Sequence, residues 1–232
     1  MILTRALLKL LHSLNLCYSL EKRFFTTPRT TRYYLLGNTI NPTKLWVAIH
    51  GYGQQGKYFS KKVEGLIDED TLIVIPEALN RYYLKGYNGR VGATWMTSDD
   101  RQLDINDNAT YLEELTNSIY KEFSSLRELN VLAFSQGIAT ACRWYVQSKF
   151  LAKRLILWAG SLANDLNYND HRDKLNSTSI SYVFGDKDEF FRDSKILMNE
   201  SLFLNADIDY QLVTFEGKHI IISELLKKLS ND

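Results

Sequence analysis

Seven short hydrophobic runs punctuate the chain: Arg32–Leu36, Leu45–His50, Leu72–Ile75, Asn130–Phe134, Arg154–Trp158, Ile180–Phe184 and Tyr210–Phe215. Most are near-continuous rather than alternating. That pattern marks strands buried on both faces, as in a parallel sheet covered by helices. Longer stretches with helical periodicity lie between them, at about Tyr58–Ile67, Asn106–Glu128, Gly137–Lys149, Ser194–Leu204 and Ser223–Leu229. Strand and helix patterns alternate to the last residue. This predicts α/β architecture: a mostly parallel central sheet, right-handed crossovers and helices on both faces. Residues 31–232 read as one domain, without repeats, low-complexity tracts or an internal boundary.

Two stretches break the alternation. From Met1 to Leu20 there is no acidic residue, and Leu3, Leu7, Leu10, Leu11 and Leu14 recur at helical spacing among Arg5, Lys9 and His12. Lys9, His12, Ser13 and Asn15 interrupt the uninterrupted apolar core that a secretory signal requires. Residues 1–30 are therefore read as an accessory helix or an extension, with a signal peptide or a membrane-surface helix as the less favoured alternatives. The second stretch, Pro76 to about Ile105, is weakly periodic and rich in Gly and aromatics. A connection of that length in a compact domain is usually functional or disordered, and Tyr82, Tyr83, Tyr87 and Trp95 argue against disorder.

Composition narrows the function classes. With 28 Lys and Arg against 27 Asp and Glu, the formal net charge is +1. No global field is present to attract nucleic acid or an acidic membrane. Cys17 and Cys142 are far apart, so there is neither a disulfide framework nor a zinc pattern, which suits a reducing, cytoplasmic setting. No apolar run is long enough to cross a bilayer. Asp99, Asp100 and Asp104 cluster without a histidine at metal-ligand spacing and read as a solvated face.

The chemistry concentrates just after predicted strands. Ala133-Phe134-Ser135-Gln136-Gly137 sits between a strand and a helix and reads as a nucleophile elbow, G-x-S-x-G with Ala in the first position. Small neighbours let strand and helix backbones pass closely, and the turn sets the hydroxyl at the positive end of a helix. A plain strand-to-helix turn with Ser135 as N-cap is the competing explanation. A nucleophilic serine needs a base, and the base needs an orienting carboxylate. Of the two histidines downstream, His171 lies in the polar run NYNDHRDK, whereas His219 follows the last strand in Phe215-Glu-Gly-Lys-His219. Gly185-Asp186-Lys187-Asp188 offers two acids, of which Asp188 is preferred over Asp186. Oxyanion donors are expected from the backbone N–H groups of Gln136 and of Tyr52, in His50-Gly51-Tyr52-Gly53, with His50 holding that loop by a hydrogen bond. Tyr82, Tyr83, Tyr87, Trp95 and Met96 are candidates for an apolar substrate pocket, or for local packing of a long loop.

One rival uses the same loop. Gly51, Gly53 and Gly56 form a literal G-x-G-x-x-G after a strand, and Glu77 ends the next strand where a ribose-binding acid belongs in a dinucleotide fold. That reading leaves His50, Ser135, Asp188 and His219 without a role. A further rival is a non-catalytic module that keeps only the fold.

The blocks HGYG, FSQG, GDKD and FEGKH resemble those of the carboxylesterase and acyl-protein thioesterase family, small α/β hydrolases with little or no lid, and GRVGATWMTSDDR resembles a bacterial subgroup of predicted esterases and phospholipases. The resemblance spans roughly Lys44 to the C-terminus. It implies an α/β-hydrolase fold, a Ser135–Asp188–His219 triad, an oxyanion hole from Tyr52 and Gln136, and a pocket walled by the Trp95 loop. The expected activity is hydrolysis of small carboxylic esters, with thioesters as an alternative, without a cofactor; a homodimer stays open. Three positions depart from the family: Ala133 begins the elbow, Gln54 replaces the usual Asp after HGxG, and Glu189-Phe190-Phe191 stands where a proline commonly follows the acid.

Overall fold

The computed structural model describes residues 20–190 and 193–231. The chain divides into a unit Met1–Thr30 and a unit Thr31–Asp232. The leucine-patterned segment that was expected to be helical lies outside the described residues. Residues 20–30 form no regular element and are exposed.

In the larger unit, β1 (Tyr33–Gly37), β2 (Lys44–Ile49), β3 (Thr71–Pro76), β6 (Glu128–Phe134), β7 (Arg154–Trp158), β8 (Ser179–Gly185) and β9 (Gln211–Phe215) build one sheet in the order β1-β3-β2-β6-β7-β8-β9. β1 runs antiparallel to β3 at one edge, and the other pairs are parallel. The near-continuous runs have their expected cause. In β2, Leu45, Val47 and Ile49 pack in one cluster while Trp46 and Ala48 pack in another. The first cluster takes Leu112, Leu115 and Ile119 of α2 (Arg101–Glu122) and Ile138, Ala141 and Tyr145 of α3 (Gly137–Gln147). The second takes Phe59 of α1 (Gly56–Phe59) and Leu226 and Leu229 of α6 (Ser223–Asn231). Each large apolar side chain so buried contributes about 1.5–3 kcal/mol. The edge strands β1 and β9 alternate exposed and half-buried positions instead.

Several boundaries differ from the sequence reading. Tyr58–Ile67 is not one helix: α1 is followed by 3₁₀ turns at Ser60–Lys62 and Glu64–Leu66. The chain there sits against α6 so closely that a Cβ on Gly65 would fall 2.7 Å from the Ser223 carbonyl oxygen, and the broken turns let Phe59, Val63 and Leu66 all point inward. α2 starts at Arg101 rather than Asn106 and ends at Glu122 rather than Glu128, because Arg127 N–H and Glu128 N–H bond Thr43 O and begin the entry to β6. A short α4 (Arg172–Asn176) precedes β8, and α5 (Asp193–Leu204) follows it. The long connection contains a hairpin that periodicity did not reveal, β4 (Asn80–Tyr83) paired antiparallel with β5 (Val91–Thr94). No described helix is long and apolar enough to cross a membrane.

Candidate active site

After β2 the chain moves outward to β3, and after the hairpin and α2 it returns to the other side of β2 as β6. This reversal opens a crevice at the carboxyl ends of β2 and β6, where open α/β sheets place their sites. Ser135 stands there with φ 56°, in the left-handed region. For a non-glycine residue such a conformation costs on the order of 1–3 kcal/mol and persists only where its surroundings enforce it. Three contacts do so. Ser135 N–H donates to Trp158 O at 2.9 Å, and Ser135 O accepts from Ile138 N–H at 3.1 Å. Gly137 lets α3 approach β2, since a Cβ there would meet the His50 and Ile49 carbonyl oxygens at 2.7 Å. Ala133, the departure at the start of the elbow, is fully buried between Ile49 and Leu157 in register.

His219 and Asp188 come to Ser135 from the ends of β9 and β8. His219 Nε2 lies 3.0 Å from Ser135 Oγ, and His219 Nδ1 lies 2.7 Å from Asp188 Oδ2. A proton on Nδ1, held by the carboxylate, leaves the Nε2 lone pair facing the serine hydroxyl. The Asp188 side chain is fully buried, and its second oxygen, Oδ1, accepts the Phe190 N–H at 2.9 Å. Asp186 takes a different part. Its Oδ1 accepts Gly217 N–H at 2.9 Å and so braces the loop that carries His219. The imidazole is flanked by Phe134 at 4.9 Å and Phe190 at 5.1 Å between ring centroids. His171 ends a 3₁₀ turn, Tyr168–His171, in the connection before β8.

On the other side of Ser135 the loop after β2 is fixed by buried polar groups. His50 is fully buried; its Nδ1 bonds Gly51 O at 2.7 Å and its Nε2 accepts Ala78 N–H at 3.1 Å. Burial lowers its pKa to about 4, so the ring is neutral with the proton on Nδ1. Gln54, where the family usually has Asp, accepts Gly51 N–H at 2.9 Å through its side-chain oxygen. Gly53 and Gln54 then pair with Ala93 and attach the hairpin to this loop. No hydrogen bond among the described residues uses the N–H of Tyr52 or of Gln136.

The expected pocket residues are dispersed rather than gathered. Trp95 is 1% exposed and is a strut: its indole N–H donates to His50 O at 2.7 Å and its ring lies 5.0 Å from the His50 ring. Tyr82 packs against the Tyr52 ring at 5.5 Å, while Tyr83 and Tyr87 are exposed along the hairpin. Met96 contacts Arg143, with Nη1 3.5 Å from its sulfur. Sequence reasoning missed the clamp behind this segment. The Gln136 side chain accepts from Trp95 N–H and donates to Met96 O and Thr94 Oγ1 at 3.0–3.2 Å. Arg143, buried, holds Asp165 through two guanidinium nitrogens at 2.7–3.1 Å. Desolvation opposes the charge on Asp165, but the Arg143 bond and charge outweigh it and hold the pKa below its usual value. Nothing in the sequence marks Gln136 or Arg143 for these tasks except that each lies close to the elbow.

The dinucleotide reading fails on Glu77. Its carboxylate is buried, bridged by Arg32 at 2.6–2.7 Å and capping the Gly56 N–H at 3.1 Å, so it has no oxygen to offer a ribose. Asp104 is likewise not a solvated face residue: it accepts from Asn80 Nδ2 at 2.8 Å and Thr97 N–H at 3.0 Å and ties the hairpin to α2.

The sheet order, its antiparallel edge strand and the crossing helices define an α/β-hydrolase fold, with no lid domain among the described residues. The chain belongs to the phospholipase/carboxylesterase family, whose model matches residues 39–231. Solved structures with the same fold include maize (Zea mays) acyl-protein thioesterase 2, at 16% identity and TM-score 0.67 over 87% of this chain and 97% of the other. A phospholipase/carboxylesterase from Dyadobacter fermentans superposes with TM-score 0.64 at 16% identity, covering 89% and 99%. Bacillus cereus carboxylesterase does so with TM-score 0.62 at 14% identity, covering 87% and 92%. No curated protein matches the sequence closely enough to count as a relative.

Proposed function

We propose that this protein hydrolyses carboxylic esters through an acyl-enzyme on Ser135. The reading rests on one observation above the rest, the unbroken hydrogen-bond chain Ser135 Oγ–His219–Asp188 at 3.0 and 2.7 Å. His219 Nε2 takes the hydroxyl proton as Oγ attacks the ester carbonyl. Asp188 keeps the other ring nitrogen protonated and stabilises the imidazolium. The N–H groups of Tyr52 and Gln136 receive the oxyanion of the tetrahedral intermediate. His219 then gives its proton to the departing alcohol, and the acyl group stays on Ser135. Water, deprotonated by the same imidazole, releases the acid and restores the serine. A thioester is open to the same steps, with a thiol leaving in place of the alcohol. The names of the structural neighbours favour these two substrate classes, and the chemistry requires no cofactor.

The test is p-nitrophenol release from p-nitrophenyl esters of increasing acyl length, with Ser135→Ala in parallel. Turnover should fall to background in the variant, a loss of roughly 10⁴-fold or more, with an unchanged urea midpoint. A folded Ser135→Ala protein that keeps most of its activity removes the assignment.

A further inference from the structure

Two cations share a small cavity beside the oxyanion loop. The cavity holds about 100 Å³ and is bounded by Gly53, Gln54, Tyr58, Phe59, Lys62 and Arg90. Gly53 and Gln54 directly follow Tyr52, the proposed oxyanion donor. Lys62 leans over Phe134, its Nζ 5.5 Å from the ring centroid, and the His219 ring lies 4.9 Å from the same ring. The Lys62 ammonium and the proposed base thus share one aromatic neighbour. Arg90 reaches the cavity from the start of β5, where its carbonyl pairs with Leu84 N–H.

The cavity carries positive charge alone, whereas several other cations of the fold have carboxylate partners: Arg32 with Glu77, Arg143 with Asp165, Arg154 with Glu128. No salt bridge among the described residues involves Lys62 or Arg90. None of the residues bounding the cavity is acidic. Partial burial lowers the Lys62 pKa, with no acid pulling it back up. Two positive side chains lining one cavity without an acidic neighbour give it a positive potential, which favours an anion there.

We infer that the cavity receives an anionic group of the substrate, so that the preferred esters carry a carboxylate or phosphate a few bonds from the scissile carbonyl. Such a substrate anchors its charge between Lys62 and Arg90 while its carbonyl lies over Ser135. The anchor adds binding and orientation remote from the reacting bond. This rests on the esterase reading above, and the test separates the two.

Paired substrates decide it. 4-Nitrophenyl hydrogen glutarate is compared with 4-nitrophenyl valerate for a charge on the acyl side. 3-Carboxyphenyl butyrate is compared with phenyl butyrate for a charge on the alcohol side. Each pair is run on the native protein, Lys62→Met and Arg90→Met. At least one anionic member should exceed its neutral partner in kcat/KM about tenfold, and that advantage should collapse in both variants while neutral-ester turnover stays within about twofold. Neutral esters cleaved as well as anionic ones in both pairs overturn the inference and leave the esterase intact. An anionic preference that survives both substitutions overturns it too. No turnover of any ester, dependent on Ser135, removes the esterase reading itself.

Discussion

The two sides of Ser135 are built differently. On the proposed oxyanion side, His50, Trp95 and the Gln136 side chain join the β2 loop, the hairpin and the elbow through buried and half-buried hydrogen bonds, with His50 and Trp95 sealed from water. On the side of the proposed base, β9 is a half-exposed edge strand and the His219 side chain is 23% exposed. The base loop is braced from beneath, by Asp186 at Gly217 and by the Trp158 indole N–H donating to Ile220 O at 2.8 Å, but its imidazole remains open to solvent. In the mechanism proposed here the difference has a reason. Oxyanion donors act by being fixed before charge develops. A base must instead exchange protons with substrate, leaving group and water, so it needs access on one face.

The largest effect that would break this comparison lies within the base side. Asp188→Asn keeps the shape but favours the wrong imidazole tautomer, and kcat should fall by roughly 10³–10⁴-fold. Asp186→Asn keeps an oxygen for Gly217 N–H and should stay within a few-fold of native. Steady-state kinetics on one p-nitrophenyl ester rank the pair, and the opposite order would transfer the orienting role to Asp186.

The second effect belongs to the buried side and is read as stability. In the unfolded chain His50 takes up a proton near pH 6.5, whereas in the fold it does so only near pH 4. Between those values the unfolded state binds more protons. The contribution is therefore complete above pH 6.5 and drains away as pH falls toward 4, by about 3 kcal/mol in all. Urea midpoints at pH 7.5 and 4.5 measure it. His50→Gln should be less stable than native at pH 7.5, by about 1–3 kcal/mol for its disturbed buried bonds, and should lose less on acidification. Equal acid losses in the two proteins would mean that other groups govern the acid limb.

Much of this candidate site was legible because strand ends announce it. Ser135, Asp188 and His219 each follow a hydrophobic run, and their chain order with the elbow pentapeptide narrows the choice. The sheet was readable because β2, β3, β6, β7 and β8 are buried on both faces and leave continuous runs. The hairpin was not: Asn80–Tyr83 and Val91–Thr94 are four residues each and too short to establish a period. Glu77 misled because spacing places a carboxylate at a strand end without saying which cation it will meet, and Arg32, remote in sequence, took it. The pocket expected from Tyr82, Tyr83, Tyr87, Trp95 and Met96 dispersed for a related reason. Aromatic composition says that a loop will pack, while the partner, here the neutral His50 ring beneath Trp95, is chosen in three dimensions.

The smallest effect sharpens the comparison at the seam of the two sides. Gln136 places its backbone N–H at the proposed oxyanion site and its side chain in the clamp on Trp95 and Met96. Truncating the side chain in Gln136→Ala leaves the N–H present but frees Thr94, Trp95 and Met96 from the elbow. If fixed donor geometry is what the buried side supplies, kcat should fall by roughly 10- to 100-fold, since small misplacements of reacting groups cost that much. KM for a short neutral ester should change little, because the lost interaction acts in the transition state. Gln136→Glu is the harsher probe: it keeps acceptors for the Trp95 N–H and the Thr94 hydroxyl but sets a carboxylate against Met96 O and near the proposed oxyanion site, and should fall below alanine. A Gln136→Ala protein with native kcat would mean that the elbow holds its own N–H in place and that the clamp serves only the stability of the hairpin.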